Sequence, residues 1–318
     1  MKYLSANDLD DRLDFPSLIE ALTQAFSGGF AAPARHHHVI ERGEGKTATH
    51  ILMPAWTTTP TGPNAFLGSK IVSVFPENAA RDLPAVHGLY VLQSGETGEM
   101  LAAIDGTRLT LWRTAAASAL AARALARKDA RHLLLVGSGA LAPFLARAHS
   151  AVRPIEHVAI WNHRRAGAER LAATLDGEGF KTKIAENLEA EVRQADVISC
   201  ATLTTQPLVR GQWLKAGQHV DLVGAFNLQM REVDDEALRR ARIFIDTAAA
   251  LDEGGDVAVA LKSGAINRSA IVADLSGLCA GATGRRDPQE ITLFKSIGAA
   301  IEDLAAAILA WRRSASTS

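Results

Sequence analysis

The chain has only two cysteines in 318 residues, Cys200 and Cys279. They stand far apart, with neither a CxxC nor a Cys/His ligand spacing. That pattern excludes a disulfide framework and a zinc site, and it marks both as reduced thiols of a cytoplasmic protein. Neither sign of charge is in excess: 34 basic and 35 acidic side chains leave a net −1. Nothing therefore draws the chain as a whole toward nucleic acid or a membrane surface. No uninterrupted apolar run reaches the roughly 18 residues of a membrane span. The opening MKYLSANDLDDRLDF is acidic and helix-like, without the apolar core of a secretory signal. Internal repeats and low-complexity linkers are missing too. What is present is the composition of a packed globular protein, 47% hydrophobic and 22% charged, long enough for two domains.

Two textures divide it. Residues 1–112 mix a helical opening, DFPSLIEALTQAF, with the strand-like THILMPAW, SKIVSVFP, AVHGLYVLQ and MLAAIDG. Within them YVLQSGETGEMLAAID reads as two strands joined by a glycine-containing hairpin loop. TLWRTAAASALAARALARKDA is a strong helix of alanine and leucine, which Thr110 can cap. Residues 113–295 then alternate helical stretches with the strands HLLLVG, HVAIWN, TKIAE, DVISCAT, HVDLVGA and RIFIDT. That rhythm predicts an α/β fold of the Rossmann type, a doubly wound parallel sheet covered on both faces. The last stretch, EITLFKSIGAAIEDLAAAILAWRR, reads as one long amphipathic helix, and residues 296–318 return to the first domain.

LLLVGSGALAPF, residues 133–144, carries the most specific motif. Gly137, Ser138 and Gly139 close a strand, and Ala140, Leu141 and Ala142 open a helix, giving G-x-G-x-x-A. The first glycine makes the tight turn, the second lets backbone approach a phosphate, and the small third residue lets helix pack on strand. The helix N-terminus then offers free N–H groups and a partial positive charge to a pyrophosphate. Between strand and helix, this is a dinucleotide cradle. The next strand does not end in the acid that holds the ribose 2′-hydroxyl of NAD. It ends in Asn162, His163, Arg164 and Arg165, suited to a 2′-phosphate. NADPH is the expected coenzyme, with NADH left open. Thr202, the last residue of DVISCAT, and Ser296, after TLFK, complete the candidate coenzyme contacts.

Four segments, SKIVSVFPEN, LPAVHGLYVLQSGETGEMLAAIDGTRLTLWRTAAASALAARALA, VGAFNLQMREVD and TLFKSIGAAIEDLAAA, resemble the ornithine cyclodeaminase/mu-crystallin family in order and spacing. The resemblance covers nearly the whole chain. It implies a homodimer whose subunits join a Rossmann domain to an α+β substrate and dimerisation domain built from both chain ends. It also implies a small substrate with a carboxylate beside an amine or imine carbon. By motif match, Arg35 in APAR, Lys70 in GSK and Arg113 in WRTAA bind that carboxylate. Arg113 is read as standing in the first turn of its helix, where a cation is unfavourable unless an anion neutralises it.

One departure selects among the family's chemistries. Cyclodeaminases have an aspartate two residues after the glycine of VGAFNLQMREVD, and here that position is Phe226. Ile51 stands where they have a glutamate before LMP. Ornithine deamination thus lacks its acid–base groups. Reducing a cyclic imine needs less, because the C=N is already formed; the protein has to hold the carboxylate, present the carbon and exclude water. The pattern resembles bacterial reductases of Δ1-pyrroline-2-carboxylate and Δ1-piperideine-2-carboxylate, which make L-proline and L-pipecolate. The competing readings are a cyclodeaminase with catalytic NAD, and a crystallin-type NADPH-binding protein without turnover.

Lys70 and His50 are the catalytic candidates, and His87 is a second histidine for proton handling. Histidine titrates nearest to working pH. His36, His37 and His38 follow Arg35, but neighbouring side chains on a strand point to opposite faces, so no metal is expected there.

Overall fold

Every second side chain of FLGSKIVSV, from Phe66 through Gly68 and Lys70 to Val72, is buried, and those between are half-buried. That is the period of a strand with one face on a core. In the computed structural model, which describes residues 1–43, 46–58, 61–81 and 83–315, it lies inside a sheet. The chain forms two compact units, Met1–Arg113 with Ala299–Ser318, and Thr114–Gly298. Among the described residues no helix is long and apolar enough to cross a membrane.

The first unit holds strands β1 (Lys2–Leu4), β2 (Phe30–Ala31), β3 (His36–Glu41), β4 (Thr47–Thr57), β5 (Phe66–Val74), β6 (Val86–Ser94) and β7 (Met100–Asp105). They form one sheet in the order β1-β7-β6-β5-β4-β2, with β3 beside β4. Pairing is antiparallel throughout except between β1 and β7. Helices α1 (Ala6–Arg12) and α2 (Phe15–Ser27) each start at a side-chain cap, Ser5 and Asp14. The C-terminal helix, Ala300–Ala315, packs on α2 and on β4, β5 and β6. Its Arg313 reaches the start of α2, bonding Asp14 at 2.7 Å and Ser17 at 2.6 Å.

Helix α3 (Gly106–Leu125) begins earlier than its sequence suggests. Its first turn is closed by Asp105, whose side chain accepts from the Arg108 N–H at 2.7 Å. Thr110 is no cap; its hydroxyl donates back to the Gly106 carbonyl at 2.7 Å. Arg113 accordingly sits in the second turn rather than the first, beyond the reach of the helix-end charge. What neutralises it comes from elsewhere in the fold.

The second unit alternates as expected. β8 (His132–Val136), α4 (Ala142–Ser150), β9 (His157–Trp161), α5 (Arg165–Gly177), β10 (Lys181–Ile184), α6 (Leu188–Val192), β11 (Val197–Cys200) and β12 (His219–Leu222) come first. α7 (Asp235–Arg240), β13 (Ala241–Ile245), α8 (Ala250–Glu253), α9 (Gly255–Ser263), β14 (Ile271–Asp274), α10 (Leu275–Cys279) and β15 (Ile291–Lys295) follow. The strands form an all-parallel sheet ordered β10-β9-β8-β11-β12-β15-β13-β14. β11, β12 and β15 are buried at every residue, as strands covered on both faces must be. The fold is a Rossmann-type doubly wound sheet.

The run ITLFK corrects the reading of one long C-terminal helix. It is β15, wedged between β12 and β13. A short apolar run is periodically ambiguous, and its isoleucine, threonine and phenylalanine favour the pleated, doubly buried surface. Gly298, at φ +83°, breaks the chain before the helix starts. The chain re-enters the first unit at Ala299.

The loop that follows β12 is laid against the first residue of α9. The Gly255 N–H donates to the Ala225 carbonyl at 2.9 Å, and a Cβ at Gly255 would run into the carbonyl oxygens of Met230 and Asn227. Gly255→Ala is expected to destabilise the protein by about 3 kcal/mol, the upper part of the range for overpacking a tight site. Urea unfolding followed by circular dichroism measures this; an unchanged midpoint would show that the loop yields.

Candidate functional site

Parallel strands buried on both faces leave room for polar chemistry only at their ends. In an open α/β sheet the ligand crevice lies beyond the carboxyl ends of the strands where the winding direction reverses. Here that point is between β8 and β11: β9 and β10 lie on one side, and β12 and β15 on the other. A cavity of about 770 Å³ opens there, lined by Gly137, Ser138 and Gly139 after β8, Asn162, His163 and Arg164 after β9, and Thr202 after β11.

The two glycines differ in what they permit. Gly137 takes φ +109°, and a Cβ on it would stand 2.7 Å from the Ala201 carbonyl oxygen and 3.1 Å from the Thr202 methyl. Gly139 faces open space, with nothing within 4 Å of its missing Cβ. Close packing at the first glycine and free approach at the second fit a pyrophosphate passing over Gly139. Ala140 and Leu141 form the turn into α4 and are absent from the cavity wall; the helix itself begins at Ala142. Small residues also bring α5 in, since a Cβ on Gly167 would lie 2.5 Å from the Ser138 hydroxyl.

The basic run after β9 is sorted by its partners. Arg165 turns away, pairing with Glu169 at 2.8 Å and Glu186 at 3.0 Å. Arg164 lines the cavity, and so does Arg170, one turn and a half further along α5. Arg170 was not legible as a site residue because it reads as an ordinary solvated helix position. Ser296 is also placed differently from its expected coenzyme contact. It is fully buried and donates to Asp246 at 3.2 Å, in a loop that Asp246 latches through the Ile297 and Gly298 N–H groups at 2.7 Å each.

The first unit carries a second cradle, built from charge. Lys70 on β5 is only 2% exposed, and its ammonium lies 2.9 Å from both carboxylate oxygens of Asp303 on the C-terminal helix. Arg113 holds Asp303 through Nε at 3.0 Å and Glu302 through a 2.6 Å ion pair. The Thr110 hydroxyl stands 3.3 Å from Lys70. Two cations and two carboxylates thus share a site from which water is excluded. Burial, then the neighbouring Arg113 charge, pulls the Lys70 ammonium down to about 8, against the opposing pull of Asp303 and Glu302. Tyr90, in register with Lys70, has its phenol pushed up by burial and then by Asp303.

Glu302 and Asp303 escaped the sequence reading. Acids in the first turn of a helix are ordinary complements to its dipole, and nothing local marks these two as partners of Lys70 and Arg113. Arg35, half-buried, stands just before β3.

His50 does not join Lys70. It faces Ser73 across β4 and β5, with its Nδ1 3.1 Å from the Ser73 hydroxyl, and His87 flanks Ser73 on the other side. Lys70 and Ser73 are three residues apart on one strand, so the two histidines project from the face opposite Lys70. Ile51, not His50, shares the Lys70 face. His36, His37 and His38 lie exposed along β3.

Known proteins share this architecture. The Δ1-pyrroline-2-carboxylate reductase of Colwellia psychrerythraea is 39% identical over 316 residues, covering 96% of this chain and 97% of its own. The reductase of that name from Thermococcus litoralis, solved with NADH and L-proline, superposes with a TM-score of 0.93 at 32% identity over 100% of this chain and 98% of its own. An archaeal alanine dehydrogenase dimer with bound NAD gives 0.90 at 28% identity, over 100% and 97%. The model of one family matches residues 8–318, a span that takes in the glycine cradle and the paired cations alike: the chain belongs to the ornithine cyclodeaminase/mu-crystallin family.

Proposed function

We propose that the protein is an NAD(P)H-dependent reductase of cyclic imino acids, converting Δ1-pyrroline-2-carboxylate to L-proline and Δ1-piperideine-2-carboxylate to L-pipecolate. The observation that carries this reading is the buried Lys70–Arg113 pair bridged by Asp303. Two fixed cations already compensated by carboxylates can take a further small anion without leaving a bare charge buried when it departs. The guanidinium fork suits a carboxylate, and Lys70 adds a compact charge. Arg35 is the third cation of the set.

When bound, the reduced coenzyme supplies a hydride. Gly137, Ser138 and Gly139 hold its pyrophosphate, while Asn162, His163, Arg164 and Arg170 surround its adenosine end. Thr202 stands at the turn after β11. Lys70 and Arg113 bind and orient the substrate carboxylate. Lys70, at about 8, is also a stronger acid than a free lysine and can donate a proton toward the imine nitrogen.

Deamination has less support. Phe226 and Ile51 stand where cyclodeaminases carry carboxylates, and neither side chain can take a proton. We read the first unit as the substrate and dimerisation domain of a homodimer. One face of its sheet carries Ile40, Trp56 and Leu89, which are 44%, 43% and 40% exposed, and such an apolar face suits a second copy. The cytoplasm fits a chain with only two cysteines, far apart in sequence.

The test is direct. Purified protein with NADPH or NADH and the five- and six-membered imino acids should oxidise the coenzyme and form proline or pipecolate in equal amount. Absence of turnover together with ammonia release from L-ornithine and NAD⁺ would replace this reading by the lyase. For the coenzyme, Arg164→Ala should raise KM for NADPH about ten- to a hundredfold, the loss of one hydrogen bond to a charged group. KM for NADH should hardly move, and equal effects on both would leave no basis for a 2′-phosphate contact. For the substrate, Lys70 loses its charge as pH rises through about 8. KM for the imino acid should therefore climb above that pH, steepening toward about tenfold per pH unit. Lys70→Arg keeps the charge at every working pH and should flatten the rise; an identical alkaline limb in that variant would assign the titration to another group.

A further inference from the structure

Glu232 takes no part in the chemistry above, yet it is 1% exposed and carries a carboxylate. Both of its oxygens are fully used. Oε1 accepts from the Thr202 N–H at 2.7 Å and from the Thr202 hydroxyl at 2.8 Å. Oε2 accepts from the Gly224 N–H at 2.8 Å and from the Ala225 N–H at 3.3 Å. One side chain therefore collects four donors from the turns that leave two neighbouring strands, β11 and β12. Buried N–H groups need acceptors, and only an ionised carboxylate offers enough lone pairs to serve four at once.

The residue is itself held on every side. Its N–H donates to Asp256 at 2.7 Å, and Asp256 lies 3.2 Å from the buried Lys295 ammonium. Its carbonyl accepts from the Leu208 and Val209 N–H groups at 3.0 Å each. The two turns it joins are in contact, since a Cβ on Gly224 would meet the Thr202 carbonyl and the Glu232 carboxylate. Thr202 lines the coenzyme cavity and packs its methyl against Gly137. On the other side, the Phe226 N–H donates to the Gly224 carbonyl at 2.7 Å, so the second turn carries the residue that replaces the cyclodeaminase aspartate.

We propose that Glu232 is a positioning residue for the coenzyme: its buried carboxylate locks Thr202 at the coenzyme cavity and the Gly224–Phe226 turn into one rigid piece. The proposal rests on the dinucleotide reading of that cavity. Burial, with Asp256 adding, raises the Glu232 acid to about 6, while Lys295 and the Thr202 bonds pull the other way. The group is thus ionised at neutral pH, in the state that can accept all four bonds.

Glu232→Gln keeps the volume but turns an NH₂ group toward N–H donors. Coenzyme dissociation constants are measured by titrating nicotinamide fluorescence with protein shown to be folded by circular dichroism. The expected result is a rise of about ten- to a hundredfold for NADPH and NADH alike, the equivalent of losing a bond to a charged group. KM for the coenzyme should rise with it while KM for the imino acid stays. A purely structural role would lower the folded fraction and the melting temperature without moving either constant. Thr202→Val, which removes one of the four donors, should weaken binding in the wild type and add little in the Glu232→Gln background. Coenzyme affinity within about twofold of wild type in folded Glu232→Gln, or full additivity of the two changes, overturns the proposal. Should Glu232→Gln fail to fold, Thr202→Val alone decides: unchanged coenzyme affinity overturns it. Wild-type protein that binds neither NADPH nor NADH would instead overturn the coenzyme reading beneath it.

Discussion

A charge withdrawn from water must meet an opposite charge or a full set of hydrogen bonds, and the first unit is arranged around that requirement at Asp303. This carboxylate is wholly buried and answers both Lys70 and Arg113. The cost of burying such groups is repaid only by good geometry and several partners. Lys70 and Asp303 are 233 residues apart in the chain. The return of the C-terminal helix to the sheet is therefore a condition for the buried charge cluster as well as for the core. The helix brings apolar cover, through Leu304 and its alanines, and the counter-charges in the same turn.

The second unit obeys the same rule with different means. Its strands carry apolar residues through a sheet covered on both sides, so its exceptions are informative. Asp221, buried in β12, accepts from Ser199 at 2.6 Å and Ser118 at 2.9 Å and lies 3.3 Å from His149. Glu232, Asp256 and Lys295 form a second buried group. The basic residues near the end of α3 also have a structural account. Arg153 donates to the carbonyls of Ala122, Arg123 and Ala126 at 2.8 Å each, and Arg285 donates to that of Leu125. They complete the last turn of a helix whose carbonyls lack partners of their own. The cations gathered there close the helix end.

Much of this was legible in the residues. The βαβ rhythm, the glycine pair at 137 and 139 and the hairpin of β6 and β7 follow from local pattern, because periodicity and turn chemistry act over a few residues, whereas the cations at 70 and 113 were marked only by the family resemblance. ITLFK was not legible, since a run of five residues satisfies a strand and a helix equally, and only the gap between β12 and β13 makes it a strand. The start of α3 was missed because a cap at Asp105 lies on the far side of a glycine, where helix propensity is poor.

Side-chain partnership separates the two kinds of knowledge most clearly. The residues alone name the chemical groups the protein owns: a glycine-rich turn between strand and helix, cations that the family resemblance reads as ligands of a carboxylate, and a phenylalanine where that resemblance places an acid. The tertiary structure decided which of those groups meet. It put His50 on the sheet face opposite Lys70, turned Arg165 to Glu169 and Glu186 while Arg164 and Arg170 stayed at the cavity, and supplied Glu302 and Asp303 as the counter-charges. The physical reason is range. A strand's period or a helix cap is settled by neighbours in sequence, whereas a buried ion pair is settled by whichever distant segment the fold lays against it.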